Sequence, residues 1–156
     1  MAKIDQIARD VYVLRERLVE RVPGHFGMNH IMTSFFGALF FGFTFVLKGL
    51  LFQVGLALSN FHLVLITITT WVLLSAEIYF VGYLRVPDKD RRPFGQFWTK
   101  RIISYYLISL FVAFLLLFVY GITEIVGDPY HVFKLVVAVS FPAAIGAAVA
   151  DLLGKY

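Results

Sequence analysis

Two charged side chains interrupt long apolar runs and are the residues best placed to do chemistry. Glu77 stands within "TWVLLSAEIYFVGYLR", and Lys48 stands within "FVLKGLLF". A carboxylate at membrane depth is costly in free energy unless it is neutralised, paired or hydrated. Such a residue therefore belongs either to an ion pathway or to a structural ion pair, and the sequence leaves both open for Glu77. For Lys48 it also leaves open an interfacial or loop position.

Threonines accompany both charges at helical spacing. Thr67 and Thr70 precede Glu77 on one side of a helix, and Thr44 precedes Lys48 by one turn. In an antiparallel helix pair the side chains of Lys48 and Glu77 lean toward each other, because side chains tilt toward the N-terminus of their own helix. These five residues are predicted to form an intramembrane polar pathway or ion pair, within one chain or between subunits.

The elements that must position these residues are membrane-spanning helices. Hydrophobic residues make up 60% of the 156, and charged residues only 15%, against about 25% charged in a soluble domain. Because about 20 apolar residues cross a bilayer as a helix, the apolar blocks predict four spans, at about 31–58, 63–84, 102–122 and 132–153. The first is over-long, so it either tilts or ends near Lys48 and leaves a partly re-entrant segment.

An amphipathic helix is predicted ahead of this transmembrane domain, which covers 25–156. Within residues 1–24 the apolar positions recur every three or four residues, and Pro23 then ends the pattern. The stripe consists of Ile4, Ile7, Val11, Leu14 and Leu18. It suits a helix lying on the inner leaflet or a short coiled-coil seam between subunits.

Basic residues in short loops predict the orientation. Lysine and arginine are frequent before the first span and between the second and third, whereas 59–62 and 123–131 contain neither. Since such residues favour the cytoplasmic side, both termini are predicted to face the cytoplasm. The fold class is thus an all-α, polytopic, multi-pass protein of the cell membrane with its N- and C-termini inside.

Each membrane face has its own polar residues. On the inner side, a lipid-headgroup site is predicted from the basic residues Arg91, Arg92, Lys100 and Arg101, and Tyr105 and Tyr106 suit the inner aromatic belt. On the outer side, the candidates for a vestibule, or for plain solvated loops, are Glu124, Asp128, His62 and His131. The outer residues lack metal-ligand spacing, so no metal site is predicted.

The fourth span is built from small residues. Alanines recur on either side of Gly146 at small-xxx-small spacing, which predicts close helix packing. Pro142 is expected to kink this helix, with Ser140 helping to satisfy the freed backbone. Asp151, near the inner end, is expected at the interface.

Several function classes are disfavoured. The chain has no cysteine, so disulfides, zinc–thiolate sites and thiol nucleophiles do not arise. No phosphate-binding glycine loop, His-Glu-x-x-His motif or nucleophile elbow is present. We therefore expect no enzymatic activity, no cofactor and no nucleic-acid partner.

The layout and the first-span run "FFGALFFGF" resemble small prokaryotic four-span membrane proteins of unknown function. Four helices enclose little space, and no internal repeat is evident. The leading hypothesis is a homo-oligomeric ion channel or pore-like transporter that favours cations. The alternative is a non-conducting scaffold or partner subunit whose Lys48–Glu77 pair is structural.

Overall fold

The computed structural model describes residues 27–85 and 94–153, and every regular element within them is helical. The α-helices are α1 (Met28–Leu47), α2 (Leu50–Ala57), α3 (Asn60–Glu77), α4 (Phe94–Val119), α5 (Ile122–Val126) and α6 (Pro129–Leu153). A π-helical turn, Ile78–Gly82, and a 3-10 turn, Tyr83–Arg85, extend α3. The amphipathic helix predicted over 1–24 lies outside the described residues.

Four helical segments in the described part are long and apolar enough to cross a membrane. They are Met28–Leu47, Asn60–Gly82, Phe94–Val119 and Pro129–Leu153. The predicted all-α architecture with four spans is therefore confirmed. The inward orientation of both termini stays a prediction.

The first predicted span is divided near Lys48. Helix α1 ends at Leu47, and Gly49 adopts a left-handed backbone with φ of 65° before α2 begins. Glycine reaches that conformation without the steric cost that a Cβ atom brings, which is why it commonly follows a helix end. At about 1.5 Å per residue the 20 residues of α1 cover roughly 30 Å, which is enough to cross the hydrocarbon by themselves.

Helix α6 is the centre of the bundle. It packs against α1, α2, α3 and α4, and 61% of its most apolar stretch is buried, against 17% for the Asn60–Gly82 span. Four of its alanines are 0% exposed, namely Ala143, Ala144, Ala147 and Ala148. Small side chains let the other helices approach closely. This close approach provides the van der Waals packing that holds membrane helices together.

Helices α1 and α6 approach each other closely at two glycines. A Cβ atom built on Gly37 would lie 2.3 Å from the carbonyl oxygen of Gly146, and one built on Gly146 would lie 2.6 Å from the carbonyl oxygen of Gly37. These distances are too short for any Cβ, so only glycine fits at either position. The close packing predicted from the small residues of the fourth span is found here, inside a single chain.

Helix α6 continues through Pro142. Proline has no N–H, so the carbonyl of Ala138 loses its usual partner four residues later. The buried Ser140 hydroxyl donates instead to the carbonyl of Val137, at 2.8 Å. Ser140 thus bonds the backbone beside the proline, as expected, but not the carbonyl that Pro142 leaves without its helical partner.

Candidate functional site

A cluster of buried ionisable side chains joins three of the spanning helices. His30 comes from the first turn of α1, Arg101 and Tyr105 come from α4, and Asp151 comes from the last turn of α6. Their exposed fractions are 2%, 4%, 0% and 1% respectively. We call these four residues the polar cluster. Ionisable groups inside a membrane protein are costly, so their presence in such a cluster marks a candidate functional site.

The Asp151 carboxylate is the hub of the polar cluster. His30 Nδ1 lies 2.8 Å from both carboxylate oxygens, and the Tyr105 hydroxyl donates to Oδ2 at 2.7 Å. Because an ionised carboxylate only accepts hydrogen bonds, these contacts place the proton of His30 on Nδ1. Helices α1, α4 and α6 are therefore tied together through one side chain.

Arg101 provides a positive charge at the polar cluster. Its guanidinium lies beside the Tyr105 hydroxyl and stacks over the Phe97 ring, 3.8 Å from the ring centroid. One arginine and one ionised aspartate together carry no net charge. The arrangement is thus tolerable at low dielectric with a neutral His30, and the imidazole is the group whose protonation would change the net charge.

Three residues expected near the inner interface are buried within the bundle instead of lying on its outer surface. They are Asp151, Tyr105 and Arg101, whose side chains bond or adjoin one another. Their depth in the bilayer stays a prediction. Lys100 is exposed and suits a headgroup contact. Arg91 and Arg92 lie outside the described residues.

Sequence reasoning overlooked His30 altogether. The signal that could have found it is the face it shares with Ser34, Gly37 and Ala38, all of which are buried. A small and polar stripe beside two large apolar faces indicates the side that packs on protein. The same rule applies to Asp151, which follows Ala144 and Ala147 at helical spacing.

Glu77 lies apart from this cluster, on the last residue of α3 before the π-helical turn. Its side chain is partly buried, and its Oε2 atom is screened from solvent without a hydrogen-bond partner among the described residues. At about 1.5 Å per residue it lies about 25 Å from Asn60 at the other end of the span. Glu77 therefore lies within the candidate span Asn60–Gly82, near its second end, with part of its hydrogen-bonding capacity unused.

The intramolecular form of the Lys48–Glu77 pair is wrong. Among residues 27–85 and 94–153 the acid–base contacts are His30–Asp151 and Asp128–His131, which are ion pairs only when the histidine is protonated. Lys48 is exposed at the end of α1. The prediction assumed a helix continuing through Lys48 and lying beside α3. Instead α1 stops, and it packs on α4 and α6, whereas α3 packs mainly on α6.

The hydroxyl groups of the three threonines are hydrogen-bonded within their own helices. Thr44, Thr67 and Thr70 each donate to the carbonyl four residues earlier, at 2.9, 3.0 and 2.7 Å. Thr44 is exposed, and Thr70 is buried. Thr67 lines an apolar surface groove on α3 together with Trp71 and Ser75. The structure therefore brings the threonines of α3 onto the Glu77 helix but keeps Thr44 on a different one.

Two of the four residues predicted to form an outer vestibule contact each other, and a third contacts a near neighbour in sequence. Asp128 bonds His131, and the Ser59 hydroxyl is hydrogen-bonded to His62 at 2.8 Å. Glu124 is exposed in α5. In the described part of the chain no three acidic or histidine side chains converge as metal ligands would. The vestibule assigned to these four residues stays a prediction.

Acidification is expected to weaken the start of α6. Asp128 caps this helix: its Oδ2 accepts from the His131 imidazole and from the His131 main-chain N–H. The side-chain bond to His131 is the main reason that the pKa of Asp128 lies below its ordinary value. A lowered pKa contributes stability that is present above the unfolded value, about 3.9, and lost as pH falls through the folded one.

An Asp128→Asn variant tests this pH dependence, since asparagine still caps a helix but carries no charge. In melts of the detergent-solubilised protein we expect the variant to melt below the wild type at pH 6, with the difference shrinking as pH falls below about 4. Glu124→Gln, a nearby exposed carboxylate, should show no such convergence. A constant offset for Asp128→Asn across this range would contradict the account.

Four apolar helices with a buried polar cluster define a polytopic integral membrane protein. Residues 17–153 match the model of the family described as "Putative integral membrane protein (DUF2391)". The chain belongs to that family, which agrees with the resemblance to small four-span membrane proteins of unknown function. No curated protein and no solved structure matches it.

Proposed function

We propose that the protein is a homo-oligomeric ion channel or pore-like transporter of the cell membrane, favouring cations, with Glu77 in its pathway. The observation that carries the proposal is the partly buried Glu77 carboxylate, whose Oε2 lacks a hydrogen-bond partner among the described residues. A screened carboxylate without a partner is destabilising. Water, a permeating cation or a neighbouring subunit would supply the partner that this carboxylate oxygen lacks among the described residues.

The position of α3 supports an assembly of several chains. Its span is the least buried of the four, so most of its surface is left to lipid or to other subunits. The middle of the bundle is filled, since Ala143 and Ala147 are 0% exposed. A pathway therefore fits better between chains than within one, and short chains that conduct usually do so as symmetric oligomers.

A non-conducting scaffold or partner subunit is the second candidate. The observation that favours it is the exposure of Lys48 at the end of α1, which leaves its ammonium available to Glu77 of a neighbouring subunit. Such an intermolecular pair would fix packing without moving ions. In this case as well the protein catalyses no reaction.

Sodium and potassium flux into proteoliposomes separates the two candidates. We expect flux in the wild type and a decrease of at least about tenfold in Glu77→Gln, because a barrier change of only about 1.4 kcal/mol changes a rate tenfold. Glu124→Gln, which removes an exposed carboxylate, should conduct as the wild type does. Lys48→Met reports on the intermolecular pair.

Each outcome of the flux experiment decides between the candidates. No wild-type flux at any ion, pH or voltage would favour the scaffold. Unchanged flux in Glu77→Gln would leave a channel whose pathway excludes this residue. Crosslinking in native membranes adds an independent measurement, and a strictly monomeric protein would contradict a pathway shared between subunits.

A further inference from the structure

We propose that the chain assembles head to tail with other copies of itself, and that Glu77 of one subunit forms an ion pair with Lys100 of the next. The inference rests on the assembly of several chains, which is part of the proposed function, but it needs no ion conduction. It is carried by the depth of the two charges, by the faces on which they lie and by their lack of ionic partners in the described part of the chain.

A hydrogen bond fixes the register of α3 against α4. The Trp98 indole N–H donates to the Ser75 hydroxyl at 2.9 Å, and the rings of Trp71 and Tyr106 meet edge to face. The later residue of α3 thus meets the earlier residue of α4, so the two helices are antiparallel. We call the line through these four residues the α3–α4 seam.

Glu77 and Lys100 lie at similar depths in the bundle. They follow the seam residues Ser75 and Trp98 by two positions, so each Cα atom lies about 3 Å from the level of its seam residue. In antiparallel helices these shifts run in opposite directions, but side chains lean toward the N-terminus of their own helix. Both charged groups therefore lean back toward the level of the Ser75–Trp98 hydrogen bond.

The two charges point away from the seam of their own chain. Two residues along a helix correspond to a rotation of about 200°, so Glu77 and Lys100 lie nearly opposite the seam residues that they follow. Their faces also carry open apolar side chains, since Leu73 is 37% and Ile103 is 46% exposed. Faces that point away from a shared seam can meet only in a second copy of the chain. Such heterologous contacts form a ring when the rotation closes.

Neither charge has an ionic partner in the described part of the chain. Glu77 Oε2 is screened from solvent without a hydrogen-bond partner there, and the acid–base contacts of that part do not include the exposed Lys100. An ammonium group from the next subunit would supply the opposite charge that a carboxylate needs inside a membrane protein. Since a carboxylate offers about four acceptor positions, the pair leaves Glu77 able to bind water or a cation as well.

Lys100 fits the pair better than Lys48 does. Helix α1 starts at the polar cluster, and that cluster includes Arg101, the residue directly after Lys100. Lys48 follows the other end of α1, about 27 Å from His30 along the helix axis. In a neighbouring subunit with the same orientation, Lys100 is therefore the lysine at the depth of Glu77.

Disulfide crosslinking tests the interface, since the chain has no cysteine of its own. The variant Leu73→Cys/Ile103→Cys places one thiol about a turn from each charge and is oxidised in native membranes. We expect a ladder of reducible bands that extends beyond the dimer, because a heterologous contact joins each subunit to two others. Ile68→Cys/Ile103→Cys is the matched control and should give no ladder, because Ile68 is exposed on the groove side of α3.

Charge reversal tests the ion pair in the same crosslinking assay. Glu77→Lys or Lys100→Glu alone should lower the ladder yield at least about tenfold, since like charges that face each other across an interface are strongly unfavourable. The double reversal Glu77→Lys/Lys100→Glu should restore the ladder, whereas Glu77→Lys/Lys48→Glu should not. If Glu77→Lys fails to fold, Lys100→Glu, at an exposed position, still decides the question.

Four results would overturn the proposal. They are a missing ladder with the native charges, dimers from Leu73→Cys alone, an unchanged ladder in Lys100→Glu, and rescue by Lys48→Glu. Dimers from the single variant would mean a two-fold contact, and an unchanged ladder would leave Lys100 to lipid headgroups. A ladder without cation flux would refute the channel and keep this interface, whereas flux without a ladder would do the reverse.

Discussion

Asp151→Ala is expected to lower the free energy of unfolding by about 3 to 5 kcal/mol, the range measured when one partner of a buried ion pair is removed. The carboxylate is 1% exposed and accepts from both His30 and Tyr105. Its removal takes away the acceptor of these two hydrogen bonds and the negative charge that balances Arg101 within the cluster. Each of these effects disfavours the folded bundle.

The size of the loss distinguishes a charged hub from ordinary hydrogen bonds. Single hydrogen bonds between membrane helices contribute on average only about 0.6 kcal/mol, so two such bonds would account for little more than about 1 kcal/mol. Unfolding titrations in mixed detergent, with Asp151→Asn as the matched variant that keeps one acceptor oxygen, should place the asparagine between the wild type and the alanine. A loss under about 1 kcal/mol for Asp151→Ala would contradict the role of Asp151 as a charged hub of the cluster.

A double variant tests the same point from the other direction. Replacing His30 and Asp151 together by leucine removes both members of the hydrogen-bonded pair instead of one. Replacing both partners of a buried hydrogen bond by apolar groups can be nearly neutral, whereas removing one partner is costly. We therefore expect His30→Leu/Asp151→Leu to be more stable than Asp151→Leu alone.

Gly146→Ala and Gly37→Ala are expected to show the second large effect. The added methyl group on Gly37 would meet the Gly146 carbonyl oxygen at 2.3 Å, and the one on Gly146 would meet the Gly37 carbonyl oxygen at 2.6 Å. A main-chain atom cannot move aside without shifting a whole helix. The cost should therefore reach the upper part of the range for overpacked cores, about 1 to 3 kcal/mol, for each variant.

Two other glycines provide matched controls in the same unfolding measurement. A methyl group on Gly95 would meet nothing within 4 Å, and the nearest atom to one on Gly55 would be Cδ2 of the Leu135 side chain, at 2.5 Å. Gly95→Ala should be neutral or slightly stabilising, because alanine favours a helix over glycine by about 1 kcal/mol. Gly55→Ala should lie in between, since a leucine can change rotamer. Equal effects at all four positions would contradict the close crossing.

The four spans could be predicted because hydropathy is a local property of the chain. Each helix contains an apolar stretch long enough to cross the hydrocarbon, whichever way the helices pack. The division near Lys48 was one of two open alternatives, and the glycine that follows Lys48 carries the deciding signal. A left-handed Gly49 after a helix end is a frequent arrangement.

The polar cluster could not be predicted in the same way, because it depends on the rotation of each helix about its axis. Position along a span suggested that Asp151 and Arg101 are interfacial, since both stand near a helix end. Rotation turns both into the bundle, toward His30, which is 121 residues away from Asp151 in sequence. Depth is encoded locally, whereas facing direction depends on contacts between distant segments.

The Lys48–Glu77 prediction failed for a related reason. Helical arithmetic placed the two side chains at similar depths, but depth alone does not make two helices neighbours. Helix α6 contacts both α1 and α3, whereas α3 has its main partner in α6. The order of helices around the bundle thus overrides a plausible pairing of charges along the chain.

The central place of α6 has a consequence for how the protein is made. Ribosomes synthesise α6 after the other spans, so the nascent chain delivers three hydrophobic segments to the insertion machinery before their common partner exists. During that interval His30 and Arg101 lack the aspartate that neutralises the cluster. Gly37 of α1 likewise has no Gly146 to pack against. Final assembly is therefore post-insertional, and it waits until translation has passed Asp151.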